Sequence, residues 1–260
     1  MGQISGPTAL TEYVLHLSKD KANKPLLILL VQGILAGIYI AIGAIASLII
    51  GANTTDPGLG VFLGSFVFPV GIIAVLIMPA ELYTSDCMVM TAIYARRTKI
   101  YRIFKILALI FLTNMVGGIL MALLTNWSGI FSAEVMKYTI EKATTKAYMP
   151  ARQLLVSSIL CNIIVCTGVC LAYRCQKELS KIVVLWLSIT VFAISGTEHV
   201  VANVYYLFTA YFSGAEIALS NIIYSLLLSG LGNFIGGGVI VSGLNYLMAH
   251  KDIEKNNRLH

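Results

Sequence analysis

Charge is what this sequence has least of. Of 260 residues only 12% are Asp, Glu, Lys or Arg, against 58% apolar, and the mean hydropathy is +0.84. Soluble domains carry about 25% charged residues, so the polar surface is too small to coat a water-soluble globule. A large soluble catalytic domain is therefore excluded, and the chain reads as an all-α polytopic membrane protein. Metal signatures are missing as well. Four of the five cysteines, Cys161, Cys166, Cys170 and Cys175, are spaced by five, four and five and form no CxxC pair. They read as small residues of a membrane helix. There is no HExxH pattern and only one histidine inside an apolar block, so neither metal nor cofactor is expected. The opening MGQISGPTALTEYVLHLSKDKANKP has no apolar h-region, so no cleavable signal peptide is expected. After Gly2 a myristoylation signal needs Ser or Thr where Gly6 stands.

What is there is a series of apolar blocks cut by charge. They run from Pro25 to Thr55, Pro57 to Ala80, Ile106 to Ala133, Gln153 to Tyr173, Ile182 to about Phe212, and Ile217 to Ala249. At about 20 residues per crossing this predicts six transmembrane helices with short loops. Two blocks are broken, one at Glu81 and one at Glu198–His199. Fourteen of the 18 Lys and Arg fall on one side of the predicted topology and four, Lys137, Lys142, Lys146 and Arg152, on the other. The positive-inside rule then puts both termini in the cytoplasm. The net charge of +6 reads as topology and not as a nucleic-acid surface. The expected organisation is a cytoplasmic segment 1–24, a transmembrane domain 25–250 and a cytoplasmic tail 251–260.

The chain repeats itself. Ile34-Leu35-Ala36-Gly37-Ile38 lies 125 positions before Ile159-Leu160-Cys161-Asn162-Ile163, and Asn114-Met115-Val116-Gly117-Gly118 returns 119 positions later as Asn233-Phe234-Ile235-Gly236-Gly237. The two breaks are 117 apart. Spans one to three, about 25–133, thus match spans four to six, about 150–250, and because three is odd the halves are inverted in the membrane. Broken helices at matching positions of inverted halves point to a substrate path.

The first break reads Pro79-Ala80-Glu81-Leu82-Tyr83-Thr84-Ser85-Asp86, and the second Ser195-Gly196-Thr197-Glu198-His199-Val200-Val201-Ala202-Asn203. Thr84, Ser85 and Asp86 predict caps for a half-helix from about Cys87, and Thr197 predicts the cap of the other. Two half-helix N-termini facing one cavity favour an anion over a cation. His199 is an intramembrane ionisable group, a residue class that usually lines a path, and its proton exchanges near neutral pH. Glu81 and Glu198 read equally well as caps on backbone N–H groups and as anion or proton handlers. Lys146 sits in a polar outer connection and reads as a solvated loop cation, with no privilege over Lys142. Gly37, Gly117, Gly118, Gly236 and Gly237 read as helix-packing positions.

At these residues the chain resembles the formate–nitrite transporter family, from about Lys24 to Ala249. Glu81-Leu82-Tyr83-Thr84 looks like the family's E-L-F-T loop with Tyr for Phe. Gly196-Thr197-Glu198-His199-Val200-Val201-Ala202-Asn203 is similar to its G-[FY]-E-H-x-[IV]-A-N segment, with Thr197 replacing the aromatic. Asn162 to Cys166 resembles its N-x-x-V-C stretch, and Lys146 falls where the family places a vestibule lysine. The resemblance implies an aquaporin-like fold, a homopentamer in a bacterial inner membrane, and one pore per protomer for small monovalent anions, among them formate, nitrite, hydrosulfide and lactate. It further implies that Leu82, Phe68 and Phe192 form apolar constrictions, with Ile72 toward the cytoplasm and Tyr83 beside them. Thr84, Asn162 and His199 would supply polar contacts, Lys146 an electrostatic funnel, and Glu81, Glu198, Thr197 and Asn203 support for the breaks.

The expected function is a channel or proton-coupled carrier for the anion of a weak acid. A neutral-solute pore of the aquaporin kind is the alternative, although its Asn-Pro-Ala signatures are absent. A membrane-embedded enzyme using Glu198 and His199 is a second, and the lack of further ligands or bases around them argues against it.

Overall fold

The computed structural model describes residues 6–257, with side chains through residue 251. Gly2, where no myristoylation is expected, and the tail's Arg258 lie outside the described residues. Within them the chain is helical, with no strand. A bilayer core leaves no other way to satisfy backbone groups in an open single chain this apolar.

An 18-residue helix, α1 (Gly6–Asn23), precedes the first apolar helix, α2 (Leu26–Ala52). Next come α3 (Pro57–Val67) and α4 (Val70–Ile77), interrupted only at Pro69; Asp56 caps α3 by accepting from Leu59 N at 2.7 Å. After the first break follow the short α5 (Tyr83–Asp86), a 3-10 turn Cys87–Met90 and α6 (Thr91–Tyr94). Then α7 (Ile100–Ser128), α8 (Ala133–Ala147) and α9 (Ala151–Arg174) lead to α10 (Glu178–Ile194) and, after the second break, α11 (Val200–Phe212). The chain closes with α12 (Leu219–Phe234), a π-helical stretch Ile235–Val241 and α13 (Ser242–Asn257). Among the described residues five helices are long and apolar enough to cross a membrane: Leu26–Ala52, Pro57–Ile77, Ile100–Ser128, Ala151–Arg174 and Leu219–Lys251. The fifth expected crossing is divided between α10, 17 residues, and α11, 13 residues.

Three local expectations are corrected. The first half-helix starts at Tyr83, with Leu82 at the cap position, so Thr84, Ser85 and Asp86 lie inside it. The second starts at Val200, and its cap is His199, not Thr197. The polar outer connection is itself a helix, α8, capped by Ser132, whose hydroxyl accepts from Val135 N at 3.3 Å. Ser132 three residues ahead of Val135 supplies the missing start signal.

The repeat is built into the packing. Helix α2 lies along α7, and α9 lies along α12 and the π-helical stretch. A Cβ on Gly117 would fall inside contact distance of the Ile34 carbonyl oxygen, and one on Gly236 would do the same to the Ile159 carbonyl. Glycine is required at both because backbone meets backbone there. Large apolar side chains such as Leu112, Val116, Leu160 and Leu171 face outward, as a lipid-facing or subunit-facing surface does.

Candidate functional site

Each break ends in a helix start whose first N–H group is buried and needs an acceptor. Two asparagines supply it in the same way. Asn114 Oδ1 accepts from Tyr83 N at 2.8 Å, and its amide donates to Gly33 O at 2.8 Å and Glu81 O at 2.9 Å. Asn233 Oδ1 accepts from Val200 N at 2.9 Å, and its amide donates to Ser158 O at 2.8 Å and Glu198 O at 2.9 Å. The carboxylates of Glu81 and Glu198 make no cap. Gly196 sits in the second break at φ 63°, a conformation that favours glycine.

Between the breaks, side chains from both halves meet. His199 Nδ1 accepts from Ala202 N at 3.3 Å, so in the neutral ring the hydrogen sits on Nε2, which donates to Thr84 Oγ1 at 3.0 Å. Asn162 commits its amide to Thr84 O at 3.0 Å and Asn233 O at 2.6 Å, tying α9 to both halves. Apolar groups surround this polar contact. Phe192 stacks at 5.6 Å from the His199 ring and meets Phe68 edge-on at 5.7 Å, and Leu82 is fully buried. Tyr83 turns to α12, donating to Gly230 O at 3.1 Å with its ring against Phe111. Thr197 is buried, and its hydroxyl approaches Phe192 O at 3.4 Å.

Charges flank this centre on two sides. On one side Lys146, on α8, is buried and donates to Glu198 Oε1 at 2.7 Å, while Asn203 Nδ2 donates to Glu198 Oε2 at 2.7 Å. Lys146 is thus no solvated loop cation. On the other side the end of α1 delivers Lys21 to Glu81 and to Asp86, 2.7 Å from its Oδ1, and Lys24 follows with bonds to Glu81 and to Gln32 at 2.9 Å. Burial pulls the Lys21 ammonium toward deprotonation, but Asp86 and Glu81 outweigh it and hold its pKa above the ordinary lysine value.

Two cavities reach toward the centre. One, ≈ 440 Å³, is lined by Phe68, Lys142, Lys146, Phe192, His199 and Tyr206 among others. The other, ≈ 170 Å³, is lined by Lys21, Lys24, Ile72, Glu81 and Asp86 among others. The first touches Ser47 near the C-terminal end of α2 and the second Lys24 just before its N-terminal end, so they open at opposite ends of that helix. No residue lines both, and Leu82 lines neither. Among the described residues no group of three His, Cys, Asp or Glu side chains is placed to hold a metal ion.

Six participants are not apparent from the sequence. Asn114 and Asn233 are visible as repeat markers, but not as the clamps of the breaks. Asp86 reads as a cap, Lys21 and Lys24 as two of many topology charges, and Lys142 as a solvated cation. The signal for the asparagines was their recurrence at nearly the interval that separates Glu81 from Glu198, whereas nothing in the sequence pairs Lys21 with residues some sixty positions away.

Comparison with known proteins agrees with this architecture. The formate/nitrite transporter family profile matches residues 8–247. The nitrite transporter NirC of Escherichia coli strain K12 is 30% identical over 238 residues, covering 90% of this chain and 87% of its own. A solved FNT family ion channel superposes with a TM-score of 0.83 at 27% identity, over 94% of this chain and 98% of its own. A pentameric formate channel with formate bound superposes with a TM-score of 0.77 at 24% identity, over 86% of this chain and 97% of its own, and supports the fold. Two inverted halves, two clamped breaks and a match over nearly the whole chain place the protein: it belongs to the formate/nitrite transporter family.

Proposed function

We propose that this chain is a membrane channel for small monovalent anions of weak acids, with formate and nitrite as its first candidates and hydrosulfide as a third. The observation that carries the reading is the pair of cavities with lysines in their linings at opposite ends of α2, with the apolar side chains of Phe68, Phe192 and Leu82 packed about a buried Thr84–His199 hydrogen bond between them. An isolated ionised carboxylate in a low-dielectric medium costs tens of kcal/mol by Born estimates, so a group so placed neutralises instead. The anion therefore collects in the vestibule lined by Lys142 and Lys146, takes a proton from vestibule water, crosses the Phe68, Phe192 and Leu82 block as the neutral acid, and returns the proton on the far side. His199 Nε2–H and Thr84 offer the crossing molecule its hydrogen bonds, and Asn162 holds Thr84 in place. Ile72 narrows the far vestibule, while Tyr83, Thr197, Glu81, Glu198 and Asn203 keep the breaks in shape.

The same proposal sets topology and assembly. Six crossings, the fifth made from α10 and α11, leave both termini and α1 in the cytoplasm and α8 outside, as the 14-to-4 distribution of Lys and Arg supports. The segments 1–24, 25–250 and 251–260 keep their expected roles. Five protomers assemble, each with its own pore, as in the pentameric formate channel that shares the fold. Flux of formate, nitrite and hydrosulfide, measured side by side in proteoliposomes, tests the function. Anion flux well above empty vesicles is expected, and His199→Phe, which offers the crossing molecule no donor, should abolish it while leaving assembly intact. Glycerol or urea flux without anion flux would instead establish a neutral-solute pore.

A further inference from the structure

The α8-side cavity contains a second cation whose charge is not answered. Lys146 donates to Glu198 at 2.7 Å, and the two neutralise each other. Lys142, one helical turn earlier on α8, lines the same cavity and makes no ion pair among the described residues. Its ammonium instead lies 4.9 Å from the ring centroid of Tyr206 and 6.0 Å from that of Tyr138. Aromatic faces stabilise an ammonium without cancelling its net charge. Of the charged groups around it, Glu141 is exposed at the cavity edge, Glu198 is taken by Lys146 and Asn203, and His199 lies deeper in the cavity. The cavity's uncompensated positive charge thus sits on Lys142.

We propose that Lys142, held between Tyr138 and Tyr206, is the anion-binding cation of this vestibule, and that Lys146 is the partner that keeps Glu198 from repelling the substrate. This rests on the channel reading above and says which residue recruits the anion. The small anion sits against the Lys142 ammonium, with the Tyr138 and Tyr206 side chains as neighbours, before it moves toward His199. Burial, followed by the neighbouring Lys146, lowers the Lys142 pKa to about 8, while Glu198 acts in the opposite direction. Lys142 is therefore charged below about pH 8 and binds, and it loses its charge and its anion above that. The titratable groups that share its surroundings are Tyr138, Glu141 and Lys146 on its own helix and Glu198, His199 and Tyr206 from the second half.

The test compares wild type, Lys142→Gln and Lys142→Arg, each full length in proteoliposomes of uncharged lipid, by the initial rate of labelled formate uptake against concentration. At pH 6.5 Lys142→Gln should raise the half-saturating concentration about fivefold or more, the factor for a unit charge about 4 Å away in bulk water. Its maximal rate should be retained, and Lys142→Arg should match wild type. At pH 9 wild type should fall to the level of Lys142→Gln, while Lys142→Arg stays tight, because arginine keeps its charge. Equal half-saturation of wild type and Lys142→Gln at pH 6.5 overturns the proposal. A gap between them that is unchanged at pH 9 overturns its titration. A second arm needs no transport: amine arylation by trinitrobenzenesulfonate, which forms a ring C–N bond and releases sulfite, followed by peptide mass spectrometry, should be slowed by formate or nitrite at Lys142 and not at exposed Lys137. Lack of protection overturns the site even if flux is normal. Protection without flux in wild type keeps the site and removes the channel reading.

Discussion

The two breaks have nearly the same backbone and carry different side chains. Leu82 caps the first half-helix at φ −107°, ψ 119°, and His199 caps the second at φ −101°, ψ 113°. Both helix starts are clamped by an asparagine with the same three hydrogen bonds. The halves diverge where polarity is added: histidine stands 117 positions after Leu82, and Asn162 stands 125 positions after Gly37. Both added groups reach Thr84, His199 at its hydroxyl and Asn162 at its carbonyl. The symmetric residues therefore build the scaffold, and the asymmetric ones build the buried polar contact between the breaks.

The largest test of this comparison concerns the charges that flank each break. Glu198 is the only carboxylate bonded to Lys146 among the described residues, so Glu198→Gln strands a buried ammonium and should cost about 3–5 kcal/mol. Glu81→Gln leaves Lys21 with Asp86 and Lys24 with Gln32, and should cost about 1–2 kcal/mol, on the scale of lost hydrogen bonds. Thermal unfolding of the detergent-solubilised protein should show Glu198→Gln melting well below Glu81→Gln. Equal midpoints would mean that the α1 side is no better buffered than the α8 side.

Next in size are the clamps, where the halves should behave alike. Asn114→Leu and Asn233→Leu each remove three hydrogen bonds, and at about 0.6–1.7 kcal/mol per membrane hydrogen bond the loss is about 2–5 kcal/mol. The two variants should lower the unfolding midpoint by similar amounts. A much larger drop for either one would assign that asparagine a task its counterpart lacks.

How far the sequence reveals this design depends on the range of each interaction. Apolar blocks, breaks and the inverted repeat are visible because lipid solvation and duplication act on every residue of a segment. His199 stands out as a lone ionisable group in an apolar block, Thr84, Asn162 and Leu82 lie in stretches that resemble family motifs, and Phe68 and Phe192 follow from the resemblance by position alone. Side-chain pairings are harder to see. Lys146 in a polar stretch looks solvated until α8 forms and carries it to Glu198, 52 positions away. The helix starts were misplaced because Thr84, Ser85 and Asp86 have good intrinsic cap preferences, whereas Asn114 from α7 provides the acceptor from outside the segment. Long-range clamps override local cap chemistry in both halves.

Smaller effects are expected at the backbone crossings. Gly117→Ala would press a methyl group on the Ile34 carbonyl, and Gly236→Ala on that of Ile159. Overpacking of this kind costs about 1–3 kcal/mol, and the paired helices should shift apart rather than unfold. Matched losses of thermal stability in the two variants would support equivalent crossings. If Gly236→Ala is better tolerated, the π-helical stretch that begins at Ile235 provides the slack.

The smallest stability effect should come from His199, the residue that the proposed function places at the crossing point. His199→Leu copies the first half into the second and removes a side-chain cap on Ala202 N, a loss of about 1 kcal/mol. His199→Asn keeps cap chemistry, because asparagine is among the best N-cap residues, so it should unfold within a degree or two of wild type. Both variants should assemble, since the Asn233 clamp on Val200 N holds the helix start independently of residue 199. Transport separates them. Leucine offers no donor to a molecule passing Thr84 and should abolish flux, while asparagine offers an amide N–H in place of Nε2–H but cannot bind and release a proton near neutral pH. If His199→Asn conducts with the wild-type pH profile, the histidine's contribution is its hydrogen bond, and the proton that accompanies the anion is taken from water in the vestibule. If it conducts with the pH dependence gone, proton exchange at the ring is part of the crossing. Full flux in His199→Leu would show that Leu82 and residue 199 are interchangeable, and that the asymmetry between the two halves does not set up the pore's polar centre.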